Sequence, residues 1–159
     1  MKTNSIETVL VKSEVTLTSG SQMAFANVGL VPGTNKGWDL LKVVVFVDND
    51  VSVSTNTAVG AVVRRTKTAP GDDIEDVTTQ DTVAMGTILD APQSSGISNG
   101  EHGAITVMAD NVVLNNLQFV VATVAGEGVT GDITVYFAAE LMPVDVPQSR
   151  LIGVLTEQP

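Results

Sequence analysis

Residues 131–146 read "GDITVYFAAELMPVDV", and from Ile133 to Leu141 the side chains alternate between two characters. Ile133, Val135, Phe137, Ala139 and Leu141 are apolar, while Thr134, Tyr136, Ala138 and Glu140 form the other, mostly polar set. Successive side chains of an extended strand point to opposite faces, so the pattern predicts a half-buried strand in an antiparallel sheet. Ile133, Val135, Phe137 and Leu141 go to the core, and Thr134, Tyr136 and Glu140 take a polar or partner-facing side. Pro143 and Pro147 follow. Proline permits extended backbone but supplies no ladder donor, so the pair hands the strand on to an arm.

The rest of the chain agrees with this strand. Valine occurs 27 times and threonine 18 times in 159 residues, and β-branched side chains suit a pleated, half-buried surface. Alternation predicts strands over 6–18, 22–29, 39–48, 51–55, 58–67, 82–89, 104–109, 112–125 and 132–142. Between them lie "VPGTNKG" (31–37), "APGDD" (69–73), "SSGISNGEHG" (94–103) and "GEGVTG" (126–131), all with the glycine, proline, asparagine or aspartate of turns. No window sustains an i, i+3, i+4 apolar pattern; "DDIEDV" at 72–77 suits a helical turn or two. The strands at 112–125 and 132–142 read as a long antiparallel hairpin. "VVVFV" (43–47) and "LQFVVATV" (117–124) are nearly continuously apolar, as in strands buried on both faces or covered by another subunit. Many short strands with glycine-rich turns predict one all-β domain, a closed sandwich or barrel.

Charge narrows the function. The net charge is −10, and the basic side chains are unevenly spread: between Lys67 and Arg150 there is none. A nucleic-acid groove needs several Lys or Arg to replace counterions on phosphates. Only "RRTK" (64–67) offers a start, and it reads as a solvated strand end. The absence of cysteine removes disulfides, thiolate metal sites and thiol catalysis. The opening "MKTNSIETVLVK" is too polar for a secretory signal, and "VVVFV" is far short of the roughly 20 apolar residues that span a bilayer. A soluble protein is expected.

Candidate chemistry is sparse. "GISNG" (96–100) matches the G-x-S-x-G nucleophile pattern, but that motif works at a strand-to-helix turn of an α/β sheet. Here Ser98 sits in a polar loop, only four residues from the sole histidine, His102. "DND" (48–50) opens like a calcium loop, yet Val53 and Val59 replace its turn glycine and bidentate acid. Asp72, Asp73, Glu75 and Asp76 have the oxygens for a hard cation and also the makeup of a solvated acidic loop. Trp38 reads as the anchor of the strand that follows it, with an exposed sugar platform as the other option. Phe25, Phe46, Phe119 and Phe137 lie on apolar faces and read as core.

Nearly the whole chain, residues 6–142, resembles the small jelly-roll β-sandwiches of virus and bacteriophage capsid proteins. Its many short Val/Thr strands and the closing "GDITVYFAAELMPVDVP" carry that resemblance. It implies a single antiparallel β-sandwich over 1–142, jelly-roll-like and of about eight strands, with an extended C-terminal arm over 143–159. It also implies a non-enzymatic structural protein of the virion, in a shell, cement or decoration role, made in the host cytoplasm. The expected partners are copies of itself, in a homo-oligomer, and other capsid proteins. A basic N-terminal arm of the genome-packaging kind is missing, so neither direct nucleic-acid contact nor membrane insertion is expected, and no cofactor. The arm carries an apolar cluster, "LIGVL" (151–155), that a free tail would gain nothing from. The expected interface residues are therefore Tyr136, Pro143, Pro147, Leu151, Ile152, Val154 and Leu155. The alternative is a carbohydrate- or ligand-binding β-sandwich module, calcium-assisted through Trp38 and the acidic loops.

Overall fold

A computed structural model of the chain describes residues 7–31, 36–48, 57–71, 81–90, 102–125, 129 and 131–146, without the side chains of Asp90, His102 and Ala125. The expected strand at 51–55, the "DDIEDV" turn, the "GISNG" loop and the arm beyond Val146 lie outside these residues. The described elements are all strands: β1 (Val9–Leu17), β2 (Met23–Gly29), β3 (Lys36–Val47), β4 (Ala58–Arg64), β5 (Thr82–Asp90), β6 (His102–Val107), β7 (Val112–Val113), β8 (Asn116–Ala125) and β9 (Ile133–Asp145).

Their hydrogen-bonded order is β1-β9-β3-β6-β5-β4-β8-β2, with β7 pairing β3 off this path. The path falls into two antiparallel sheets. Sheet A is β1-β9-β3-β6, and sheet B is β2-β8-β4-β5. They meet at a corner where β5 and β6 share two rungs, Ala84 opposite Val107 and Met85 opposite Thr106. Of the connections between long strands, β4–β5 stays within one sheet and the rest pass from one sheet to the other. This winding is a jelly roll, a double sheet closed by Greek-key crossings, as the resemblance implied.

The core lies between the sheets. Ile133, Val135, Phe137, Ala139 and Leu141 of β9 are all buried, so the alternation that opened the sequence reading is realised. Val43, Val45 and Val47 of β3 join them from sheet A, and Leu117, Phe119 and Val121 of β8 meet them from sheet B. The Phe119 and Phe137 rings touch across the sandwich at 5.0 Å, tilted by 42°. Burying such a ring removes about 150–250 Å² of mostly apolar surface from water, which makes this pair a centre of the packing.

Several expectations change. Residues 112–125 and 132–142 do not form a hairpin: β8 pairs with β2 and β4, while β9 pairs with β1 and β3 in the other sheet. The strand expected over 112–125 is also interrupted at Leu114–Asn115, because its first two residues pair with β3 in sheet A and the rest belongs to sheet B. β9 runs to Asp145, three residues past the expected domain boundary, with Pro143 opposite Trp38 and Val144 opposite Gly37. Among the described residues pairing with β1 stops at Leu141, so Pro143 lies past the stretch paired to β1 and its missing N–H costs no bond in that ladder. Val146 is buried beside Leu114. Gly37 makes that possible, since a Cβ on it would come within 2.7 Å of Val146 Cγ2.

Candidate interaction surface

Sheet A turns one face to the core and the other to solvent, and β1, β9 and β3 set the outer residues in three rows. Leu10, Glu140 and Lys42 form the first row, Lys12, Ala138 and Val44 the second, and Glu14, Tyr136 and Phe46 the third. The middle row has small side chains at its centre and the third has two rings, so the face is a trough rather than a plane. A cavity of about 450 Å³ lies there, lined chiefly by Lys12, Glu14, Val44, Phe46, Tyr136 and Ala138. The Tyr136 and Phe46 rings stand 6.2 Å apart, tilted by 48°, and form its wall at one end. At the other end the β3–β9 register shifts between Leu40 and Lys42, and the extra residue of that bulge, Leu41, is exposed.

This face is unusually greasy for an exposed one. Leu10 is 56% exposed, Tyr136 41% and Phe46 36%, and all three are contiguous with Val44 and Ala138. Its charges are balanced: Lys12 and Lys42 against Glu14 and Glu140, on a chain whose net charge is −10. Glu140 stands directly opposite Lys42, an arrangement that favours pairing of strands.

Among the expected interface residues, Tyr136 is at the heart of this surface and Pro143 is exposed at the end of β9. Pro147, Leu151, Ile152, Val154 and Leu155 lie outside the described residues. The sequence reading missed Val44 and Phe46 as surface residues. It expected "VVVFV" to be buried on both faces or covered by another subunit, and Phe46 to be core. In the fold Val43, Val45 and Val47 are buried, while Phe46 faces out. The signal was present: a strand apolar on both faces in an otherwise alternating protein marks a face that something must cover. β8 meets that expectation over Leu117 to Ala122, which are buried on both faces, but not at Val124, which is exposed. Phe25, also expected in the core, is 41% exposed on the edge strand β2.

"RRTK" is a correction too. Arg64, Arg65 and Thr66 are buried; they are not a solvated strand end. Arg65 forks onto Asp110, Nη1 to Oδ1 and Nη2 to Oδ2 at 3.2 Å each, and also donates to the Val112 carbonyl at 3.1 Å. Arg64 Nη1 donates to Gln118 Oε1 at 2.9 Å. Gln118 and Asn116 in turn donate to the carbonyls of Thr68 and Thr66, at 2.9 and 2.7 Å, and both donate to Asn27 Oδ1. The network binds residues 64–68 down across β8. The guanidinium groups thus hold the chain to itself, which is the opposite of a phosphate-binding patch.

Trp38 is half-buried at the start of β3 and packs against the core, as an anchor does; its Nε1 is buried with no hydrogen-bond partner among the described residues. Ser98, Asp72, Asp73, Glu75 and Asp76 lie outside the described residues, as does the His102 side chain. Among the described residues no group of three or more His, Asp or Glu stands close enough together to hold a metal ion, and no helix is long and apolar enough to cross a membrane.

No protein-family model matches the chain, and no curated protein matches it. Solved structures similar to the chain include those of viruses. A chain in the capsid of Ralstonia phage GP4 is 14% identical, with a TM-score of 0.44 over 89% of this chain and 86% of that one. A chain of Desmodium yellow mottle tymovirus is 13% identical, with a TM-score of 0.35 over 93% and 88%. A chain of turnip yellow mosaic virus is also 13% identical, with a TM-score of 0.32 over 91% and 99%. At these identities and scores they bear on no residue of this chain.

Proposed function

We propose that the chain is a non-enzymatic structural protein of a virion, a jelly-roll subunit that builds or reinforces a capsid by contact with copies of itself and with other capsid proteins. The observation that carries this is the outer face of sheet A. Contiguous exposed apolar residues bordered by charge mark surfaces that bind other macromolecules. Balanced charge gives the reason for self-contact. Two copies at −10 each repel at long range, and a face where Lys12 and Lys42 offset Glu14 and Glu140 is where they approach at least cost. Tyr136 and Phe46 supply the aromatic anchors that dominate interface cores. Pro143 and the arm residues Pro147, Leu151, Ile152, Val154 and Leu155 add a second contact, in keeping with their extended, apolar makeup. Arg64 and Arg65, being engaged internally, support a subunit that does not grip nucleic acid.

Light scattering and negative-stain microscopy on the purified full chain test this. Discrete oligomers or closed particles are expected, with association strengthening as salt is raised to about 0.15 M, where the Debye length falls to about 8 Å. Tyr136→Glu and Phe46→Glu should return the protein to folded monomers, since both side chains are already solvent-facing. A chain that stays monomeric at about 0.1 mM across that salt range would rule the reading out, and glycan binding with and without calcium would then be the measurement to make.

A further inference from the structure

We infer that the outer face of sheet A binds the same face of a second copy across a two-fold axis that runs along the diagonal from Leu10 through Ala138 to Phe46. This rests on the reading of the chain as a self-assembling subunit and adds which residue meets which. The strand registers fix nine outward residues as a grid of three rows: Leu10, Glu140 and Lys42; Lys12, Ala138 and Val44; Glu14, Tyr136 and Phe46. Neighbours in a row stand about 4.8 Å apart, and the rows are about 7 Å apart. When two copies of one face meet about a two-fold axis, the contact is reciprocal: if residue i meets residue j, then j meets i. Four such axes pass through Ala138 along the lines of the grid, and charge separates them. An axis along the strands sets Glu140 against Glu140 and lays Lys12 on Val44. An axis across the strands sets Lys12 against Lys12. The diagonal through Glu14 and Lys42 sets each of those against itself. The remaining diagonal gives every charge an opposite: Lys12 meets Glu140 of the second copy, and Lys42 meets its Glu14.

Shape agrees with charge. About that diagonal the Tyr136 ring of one copy comes down over Val44 of the other. Tyr136 belongs to the wall of the trough, while Val44 and Ala138 are its half-buried middle row. Each copy's wall thus enters the other's hollow. Phe46 meets Phe46 and Leu10 meets Leu10 on the axis itself, so the exposed apolar side chains of the face leave water together. The result is an aromatic and aliphatic centre with ion pairs around it, the anatomy of a protein interface. The axis lies about 35° from the strands, so strands of the two copies cross at about 70°, nearer the orthogonal than the aligned class of sheet packing. Charge also selects a second copy over other occupants. A partner surface of one sign would leave two of the four charges facing their like, whereas a second copy leaves none.

Charge reversal in the full chain tests the pairing. Lys12→Glu and Glu140→Lys, each alone, should raise the concentration needed for association about tenfold or more, since like charges then meet twice in each two-fold contact. Mixed in equal amounts, the two should associate as the unaltered chain does to within about threefold, because each reversed charge meets a reversed partner. Lys12→Glu mixed with Glu14→Lys is the control. It holds the same total charge, on residues that do not meet across the axis, and should stay weak. Light scattering at about 0.1 mM protein and about 0.15 M salt reads the association, with circular dichroism to confirm that each variant is folded. Lys42→Glu mixed with Glu14→Lys is a second matched pair should a variant of the first fail to fold. If the matched and control mixtures behave alike, or the single variants associate like the unaltered chain, while that chain still forms oligomers, the two-fold pairing is wrong and the subunit reading stands. If the unaltered chain is itself monomeric, both fall.

Discussion

Arg65 and Lys36 are both paired with aspartates, and their surroundings make the two pairs very different. Arg65 is 1% exposed, and its fork onto Asp110 and the Val112 carbonyl ties the end of β4 to the turn before β7. Removing it takes a donor from the part-buried Val112 carbonyl and leaves a void where the arginine stem was packed. Arg65→Ala should cost about 3 kcal/mol, in the range for breaking a buried charged contact. Lys36 pairs with Asp145 at the far end of the β3–β9 ladder, where both side chains are well solvated. Lys36→Ala should cost no more than about 1 kcal/mol. Urea titrations of the two variants check the contrast: the midpoint falls markedly for the first and barely for the second, with an unchanged slope in both. The charges in "RRTK" were legible in the sequence, but their burial was not. An arginine at a strand end is exposed by default, and the groups that hold Arg64 and Arg65, namely Gln118, Asp110 and Val112, lie more than forty residues away in the chain.

At the scale of elements, local periodicity carried the strands and long-range pairing was lost to it. The predicted strands agree with β1 to β6 and with β8 and β9 to within a few residues, because each is written in its own alternation or apolar run. The β8–β9 hairpin failed because nearness in sequence says nothing about which sheet a strand joins; in a jelly roll consecutive strands cross between sheets. Of the candidate surface, Tyr136 was legible because the alternation of β9 puts it on the outward face with Thr134 and Glu140. Val44 and Phe46 were not, since whether the second face of β3 is covered depends on long-range packing that the strand's own residues do not record. The corner between the sheets has its own signature in Gly86 of β5. A Cβ there would stand 2.9 Å from Cγ2 of Ile105 on β6, closer than side chains tolerate. Gly86→Val should therefore destabilise by about 1–3 kcal/mol through overpacking. Amide exchange should speed up first at Ala84, Met85, Thr106 and Val107, whose two rungs join the sheets. Uniform acceleration across all strands would show instead that the corner is not a separate unit.

For the molecule as a whole, the order of strands matters more than any single contact. β9 is not at the margin of sheet A; it lies between β1 and β3 and pairs with both along most of its length. β8 does the same between β2 and β4 in sheet B. The first six strands thus leave one slot open in each sheet, and the last two long strands fill them. Contacts of such wide sequence separation form late, after large loops have closed, and they slow folding. A ribosome makes this chain from β1 onward, so until β9 has left the exit tunnel β1 has no neighbour in its sheet and the apolar sides of both slots face water. Closing of sheet A then waits for β9 rather than proceeding strand by strand. Stalled nascent chains with β9 still inside the tunnel should be cut readily by protease, and resistance should appear in one step once Asp145 has emerged; resistance rising strand by strand would contradict this. Newly made copies stay open sandwiches until the last strand is complete, each exposed to its neighbours on the same message for as long as that takes.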